Sequence, residues 1–298
     1  MKVGIDLKDH RTQFILHLIA SQNEKALSIP QAVESAVFPI FHVIKSGKQP
    51  VQIGSCVAIQ IGGEHFFFSA SHVFDDIGKY KLCIGLGNGE PLAYLGGDRF
   101  SSLKGKSGTH SDDPIDASVY HIQEAVPEII KKDCLTLDDL DLEPRDDFGC
   151  VYLAAGFRSK ISKTRNNQAN TRREALPSRE LDDGAYLSLD LDRETHIALF
   201  YENQIIKNGR WQTSPIPKGM SGGAIIKISK IPFLPKQYHP EELAARQLLT
   251  GITIEQRRER NGKPGILLGT RISKHLALIE KFLPEVLPET WNQLDKEN

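Results

Sequence analysis

The run KGMSGGAII (residues 218–226) sets one small hydroxyl, Ser221, among glycines at 219, 222 and 223, just before a stretch of β-forming residues. Each glycine gives up more conformational freedom on folding than any other residue, so the cluster implies unusual φ/ψ or close approach to a ligand. A plain turn meets that description too. A serine hydroxyl becomes nucleophilic near neutral pH only beside a base, and the base must itself be oriented by a third group. Most of the ten histidines fall within strand patterns (His42, His65) or in ordinary surface segments. His72 differs, because in FFFSASHVFDD it follows an apolar strand at the point where strand gives way to turn. Asp116, in DDPIDASVYHI, stands at the mouth of another strand. A carboxylate there can be buried against an imidazole N–H, fixing its tautomer and stabilising the imidazolium that forms when a serine loses its proton.

These residues need elements to hold them. AVFPIFHVI, SCVAIQI, HFFFSA, KLCIGLG, PLAYLG and ASVYHI are short β-branched and aromatic runs separated by turn residues, and predict one antiparallel β unit over 36–122. Residues 123–147 are acidic toward their end and read as a connection. CVYLAAGF, AYLSLDL, HIALFY, GAIIKI, LLTGITI and GILLGTRI predict a second β unit over 148–272. Phe14, Ile15, Leu18 and Ile19 recur at helical spacing within 10–22. After Ser273, Leu276, Ile279 and Leu283 share one helical face before Pro284, which predicts a helix packed on the second unit. The organisation expected is a helical extension (1–35), a first β unit with its connection (36–147), a second β unit (148–272) and a helical tail (273–298).

Composition narrows the function classes. A net charge of −1 and a pI near 6.8 supply no global field for nucleic acid. The basic segments 158–174 and 256–263 read as solvated loops, with nucleic-acid or acidic-partner contact as the alternative. The first 22 residues resemble neither a secretory signal nor a membrane span, which predicts a cytoplasmic protein without a membrane partner. Cys56, Cys83, Cys134 and Cys150 lack metal-ligand spacing and are expected as reduced thiols. GLGNGE (85–90) is followed by no helix pattern and reads as a β-turn rather than a phosphate loop.

Taken together, Ser69-Ala70-Ser71-His72, Asp116-Ala117-Ser118-Val119 and Gly219-Met220-Ser221-Gly222-Gly223, in that order, resemble the chymotrypsin-like (trypsin-fold) serine peptidases over about 36–283. The resemblance implies an all-β fold of two packed six-stranded antiparallel Greek-key barrels with helices at both ends. It implies His72 as base, Asp116 as its orienting acid, Ser221 as nucleophile, and the amides of Gly219 and Ser221 as the oxyanion hole. Pro215 falls at the base of the primary pocket, Lys218 at its mouth, Ile254, Glu255 and Gln256 beside the substrate, and Gly265 along the pocket wall. A polypeptide substrate, no metal or cofactor, and an uncharged, small to medium apolar P1 residue follow, although Lys218 favours acidic side chains instead.

The chain departs from the secreted branch: Met220 stands where an activation aspartate is expected, and Val73 where a half-cystine is. The resemblance is therefore to intracellular or bacterial-type members, whose oxyanion hole is preformed or switched by a regulatory protein partner. Residues 1–35 read either as a packing extension or as an autoinhibitory or docking helix. GMSGG also satisfies the looser pattern of an α/β-hydrolase elbow, but GGAIIKI leads into a strand and Asp295 is the only later aspartate. Two other readings use the same fold: a non-catalytic module gripping a protein or nucleic acid, and an esterase.

Overall fold

A computed structural model describes residues 7–29, 32–42, 49–75, 81–87, 89–142, 150–207, 210–229, 231, 245–260, 262–288 and 291. The chain begins with α1 (His10–Ser28) and α2 (Ala32–Ser35) and then builds β1 (Val37–His42), β2 (Val51–Ile61) and β3 (Glu64–Ala70). A single turn, α3 (Ser71–Asp75), precedes β4 (Leu82–Ile84), β5 (Ala93–Leu95), β6 (Gly97–Ser101) and β7 (Ala117–Ile122). These strands form one antiparallel sheet in the order β5-β4-β1-β2-β3-β7-β6. Its two edge strands are separated in the chain by Gly96 alone, so one bent strand serves both edges and the sheet must curl shut. The seven segments thus amount to six staves of a curled, barrel-like sheet.

After α4 (Glu128–Asp133) the second sheet takes β8 (Val151–Phe157), a side hairpin of β9 (Lys163–Arg165) and β10 (Gln168–Asn170), and β11 (Arg173–Ser178). α5 (Asp183–Leu189), β12 (His196–Phe200) and the hairpin β13 (Gln204–Lys207) and β14 (Arg210–Thr213) follow. β15 (Ala224–Ile228), β16 (Gln247–Arg257) and β17 (Ile266–Arg271) complete the order β11-β8-β15-β16-β17-β12. Here closure comes from the chain just past β11. Leu181 N donates to Ala198 O and Phe200 N to Arg179 O, both at 2.9 Å, so the Arg179–Leu181 stretch pairs with β12. The expected all-β architecture of two antiparallel barrels with helices at both ends is what the chain forms.

One apolar core joins the barrels: Val57, Phe66 and Phe68 of the first pack with Leu153, Ile226 and Leu249 of the second. Two helices depart from their expected packing. α6 (Ile272–Phe282) does not cover the second unit alone, because Phe282 stacks on Phe100 at 5.0 Å and His275 on Phe68 at 5.4 Å, both in the first barrel. In α1 the apolar stripe faces out, with Phe14 61% and Ile15 56% exposed, while Gln22 and Ala26 make the buried contact. A polar anchor explains this register: Gln22 donates to Ile231 O at 3.2 Å and accepts from Arg179 Nη2 at 2.5 Å.

His275 is fully buried; its Nε2–H donates to Ser69 O at 3.1 Å, and Nδ1 has no partner among the described residues. Burial therefore pushes its pKa down to about 4. Since the folded value lies below the ordinary 6.5, the unfolded chain binds more protons between the two values and acid favours unfolding. Stability from this group is intact above about pH 6.5 and falls by on the order of 3 kcal/mol as the pH drops to about 4. Urea titrations of wild type and His275→Gln should differ less at pH 4.5 than at pH 7. A difference independent of pH would contradict the buried neutral ring.

Candidate active site

The path to His72 starts in β3, whose last residue, Ala70, pairs with Ala117 of β7. Ser71 then donates its N–H to Asp116 O at 3.1 Å and its hydroxyl to Ala117 O at 2.7 Å, which pins the turn carrying His72 to the start of β7. Asp116 sits at φ 49°, a left-handed conformation uncommon for a residue other than glycine. Its neighbours hold it there. Ala117 N donates to Ser102 Oγ at 3.0 Å, His196 Nε2 to Pro114 O at 2.6 Å, and Thr270 Oγ1 to Ile115 O. The carboxylate is thereby turned toward His72, where Oδ1 accepts the main-chain N–H at 2.9 Å and Oδ2 accepts Nδ1–H at 2.6 Å. Asp116 is buried, whereas the His72 side chain is 37% exposed. A carboxylate that accepts from Nδ1 fixes the tautomer with Nε2 as the basic nitrogen.

Ser221 lies in a turn whose carbonyls all have partners. Lys218 O accepts from Ser159 N at 2.9 Å, Gly219 O from Ser55 Oγ at 3.0 Å, and Met220 O from Gly223 N at 2.8 Å. In a trans peptide the N–H points opposite to the C=O across the same plane. The N–H groups of Gly219 and Ser221 are therefore turned away from Ser159 and Gly223, and among the described residues neither has an acceptor. Gly219 has φ 95° and Gly222 φ 84°, and a Cβ on Gly222 would lie 1.9 Å from Ser55 O. These two positions require glycine. Met220, 1% exposed, is anchored among Tyr152, Ala154 and Ile225, so the residue before the serine is held by apolar packing.

The histidine turn and the serine turn meet on β2. Ser55 N donates to Ser221 O at 2.8 Å, and a Cβ on Gly54 would lie 2.5 Å from Val73 Cγ1 and 3.0 Å from Ser221 O. Val73 adjoins His72, so both turns abut Gly54 within van der Waals reach.

Beside Ser221 lies a cavity of about 140 Å³. Of the residues expected at the substrate, Lys218, Glu255 and Gln256 line it. Ile254 is 6% exposed and packs with Ala198 and Leu268, because a β-bulge at 253–255 leaves it unpaired and turned to the core. Pro215 is outside the lining, with its carbonyl accepting from Tyr201 OH at 2.5 Å. Gly265 is against Tyr201 O rather than the cavity. Ile216, Pro217, Thr253 and Leu267 also line it and were missed. Strand alternation around Glu255 signals Thr253, but nothing local signals Leu267.

Other chemistries find less support in the described residues. Burial raises the thiol of Cys134 to about 12 and that of Cys83 to about 11, which disfavours a thiolate nucleophile at either. Among the described residues no group of His, Cys, Asp and Glu could hold a metal ion, and no helix is long and apolar enough to cross a membrane. In the basic segments Arg158 pairs with Glu174 at 2.8 Å and Arg257 with Glu255 at 3.1 Å.

No family model matches this chain, and no curated protein does. Among solved structures it is similar to neuropsin, a serine protease expressed in the limbic system of mouse brain. The likeness covers 85% of this chain and 96% of that one at a TM-score of 0.51 and 13% identity. At that identity the likeness speaks to the fold alone, and with the two closed barrels it identifies this chain as a protein of the trypsin-like fold.

Proposed function

We propose that this protein is a serine endopeptidase whose triad is Ser221, His72 and Asp116. The observation that carries the reading is the buried Asp116 carboxylate, held in a left-handed backbone so that it accepts both the main-chain and ring N–H of a half-exposed His72. Ser221 Oγ attacks a peptide carbonyl carbon as its proton passes to His72 Nε2, and the amides of Gly219 and Ser221 receive the oxyanion. The C–N bond then breaks as Nε2–H protonates the leaving amine. Water repeats the route against the acyl ester, releases the acid and returns the proton to Ser221. No metal or cofactor enters any step.

Ile216, Pro217 and Leu267 around a cavity of about 140 Å³ favour a small to medium apolar P1 side chain. Lys218 and Glu255 stand at its rim with opposite charges. None of the four cysteines, all among the described residues, is in a disulfide, which fits a cytoplasmic protein.

A fluorophosphonate probe tests the reading. One adduct on the folded wild type, located by peptide mass spectrometry at Ser221, is the expected result. No adduct would overturn it and favour the non-catalytic binding module, and an adduct at another serine would overturn Ser221 as the nucleophile. Cleavage of a peptide library then separates a peptidase from an esterase.

A further inference from the structure

The carbonyl of Gly219 is held from the other barrel. Ser55 Oγ on β2 donates to Gly219 O at 3.0 Å and accepts from Phe157 N at 3.1 Å, so one hydroxyl links the end of β8 to the serine turn. Gln52, also on β2, donates from Nε2 to Phe157 O at 2.6 Å and reaches Gly219 O at 3.4 Å. Both side chains are buried, Ser55 completely, and Gln52 Oε1 has no partner among the described residues. Burying an amide with an orphaned oxygen is costly. An apolar side chain in its place would avoid that cost, but could not donate to two carbonyls.

What these donors act on matters. The Gly219 carbonyl lies between the two amides that face the cleft, and glycine at φ 95° has little intrinsic bias to keep that arrangement. Resting on the peptidase reading above, we propose that Ser55 and Gln52 are positioning residues for the oxyanion hole. They hold the Gly219 carbonyl against β2 so that the amides of Gly219 and Ser221 stay turned to the cleft. Because β2 also abuts Val73, beside His72, the same strand sets the hole in register with the base. Without Ser55 Oγ, Gly219 O keeps only its long contact to Gln52 and Phe157 N loses its acceptor. The Gly219–Met220 peptide then rests on Met220 N donating to Pro217 O at 2.9 Å, a weaker hold against rotation of the Gly219 carbonyl.

The test compares Ser55→Ala and Gln52→Met with wild type in three readouts. Turnover of a peptide substrate should fall about 10- to 100-fold in Ser55→Ala, less than the full loss of a donor, with KM within about 3-fold. Affinity for a peptidyl trifluoromethyl ketone, which forms a tetrahedral oxyanion, should fall by the same factor, while affinity for the product peptide holds. Ser55→Thr, which keeps the hydroxyl, should recover most of both. Crystal structures supply the readout independent of activity: a turned peptide within 218–221 in Ser55→Ala is expected, and an unchanged turn there and in Gln52→Met would overturn the brace. A general loss of both kcat and product affinity would overturn it as well, marking a merely structural role. If the wild type neither turns over peptide nor takes the probe while the variant's turn still rotates, the peptidase reading fails and the brace stands.

Discussion

Turnover by Ser221→Ala and by His72→Ala should each fall by about 10⁶-fold, and the doubly substituted chain should fall no further. The reason is that, in the proposed mechanism, the two side chains perform one act. With Oγ removed the imidazole has no proton to accept, and with the imidazole removed the hydroxyl stays protonated. What survives comes from binding and from the amides of Gly219 and Ser221, roughly 10³- to 10⁴-fold above water. Asp116→Asn should lose about 10⁴-fold for a different reason. The carboxylate faces two donors, His72 N–H and Nδ1–H, and an amide can accept from only one of them. If its NH₂ is turned to the ring, the proton moves to Nε2 and the base is lost. Single-turnover rates on a fluorogenic peptide measure all four chains. Losses that multiply in the double variant, or a Ser221→Ala chain retaining a few per cent of turnover, would mean that the residues do not act as a unit.

Glu180→Ala should cost about 3–5 kcal/mol of stability, the largest loss expected from any single change away from the cleft. Glu180 is 4% exposed in its side chain and receives Arg271 Nη2 at 2.6 Å, Tyr186 OH at 2.7 Å and Tyr152 OH at 3.0 Å, with Arg193 Nη2 at 3.3 Å. Its backbone also stands at the bridge to Leu199 that closes the second barrel. Removing the carboxylate takes the counter-charge from the nearly buried Arg271 guanidinium, which keeps Nε on Arg193 O, and takes one acceptor from each of the two phenols. Such a charge costs far more unpaired than the pair contributes when intact. Replacing both Glu180 and Arg271 with leucine should therefore recover part of the loss. Urea unfolding midpoints at constant slope give the numbers; a cost under about 1 kcal/mol would show that water reaches the cluster.

The proposed triad was picked out of the sequence because its signals are local. Small residues precede His72, β-formers follow Asp116, and glycines surround Ser221, each a short-range requirement of the turn involved. Closed barrels also leave a local trace in alternating strands. The α1 register was not legible, because Phe14 and Ile15 satisfy helical spacing whether or not anything covers them, and a polar contact from Gln22 to Ile231 decided which face turned inward. Ile254 was misplaced because the resemblance set three consecutive residues beside the substrate, whereas Thr253 and Glu255 line the cavity and Ile254 between them turns to the core. Ser55 and Gln52 escaped for a third reason: their partner Gly219 is more than 160 positions away, and nothing in QIGSC says which carbonyl they will meet.

α6 has a consequence for synthesis on the ribosome. His72 and Asp116 are translated in the first barrel and Ser221 in the second, while the helix that lays Phe282 on Phe100 and His275 on Phe68 emerges after both. A nascent chain that has not released α6 leaves those rings of the first barrel uncovered, with the shared apolar core as the remaining join between the barrels. Chains stalled before α6 would therefore carry His72, Asp116 and Ser221 with one of the two joins between their barrels missing.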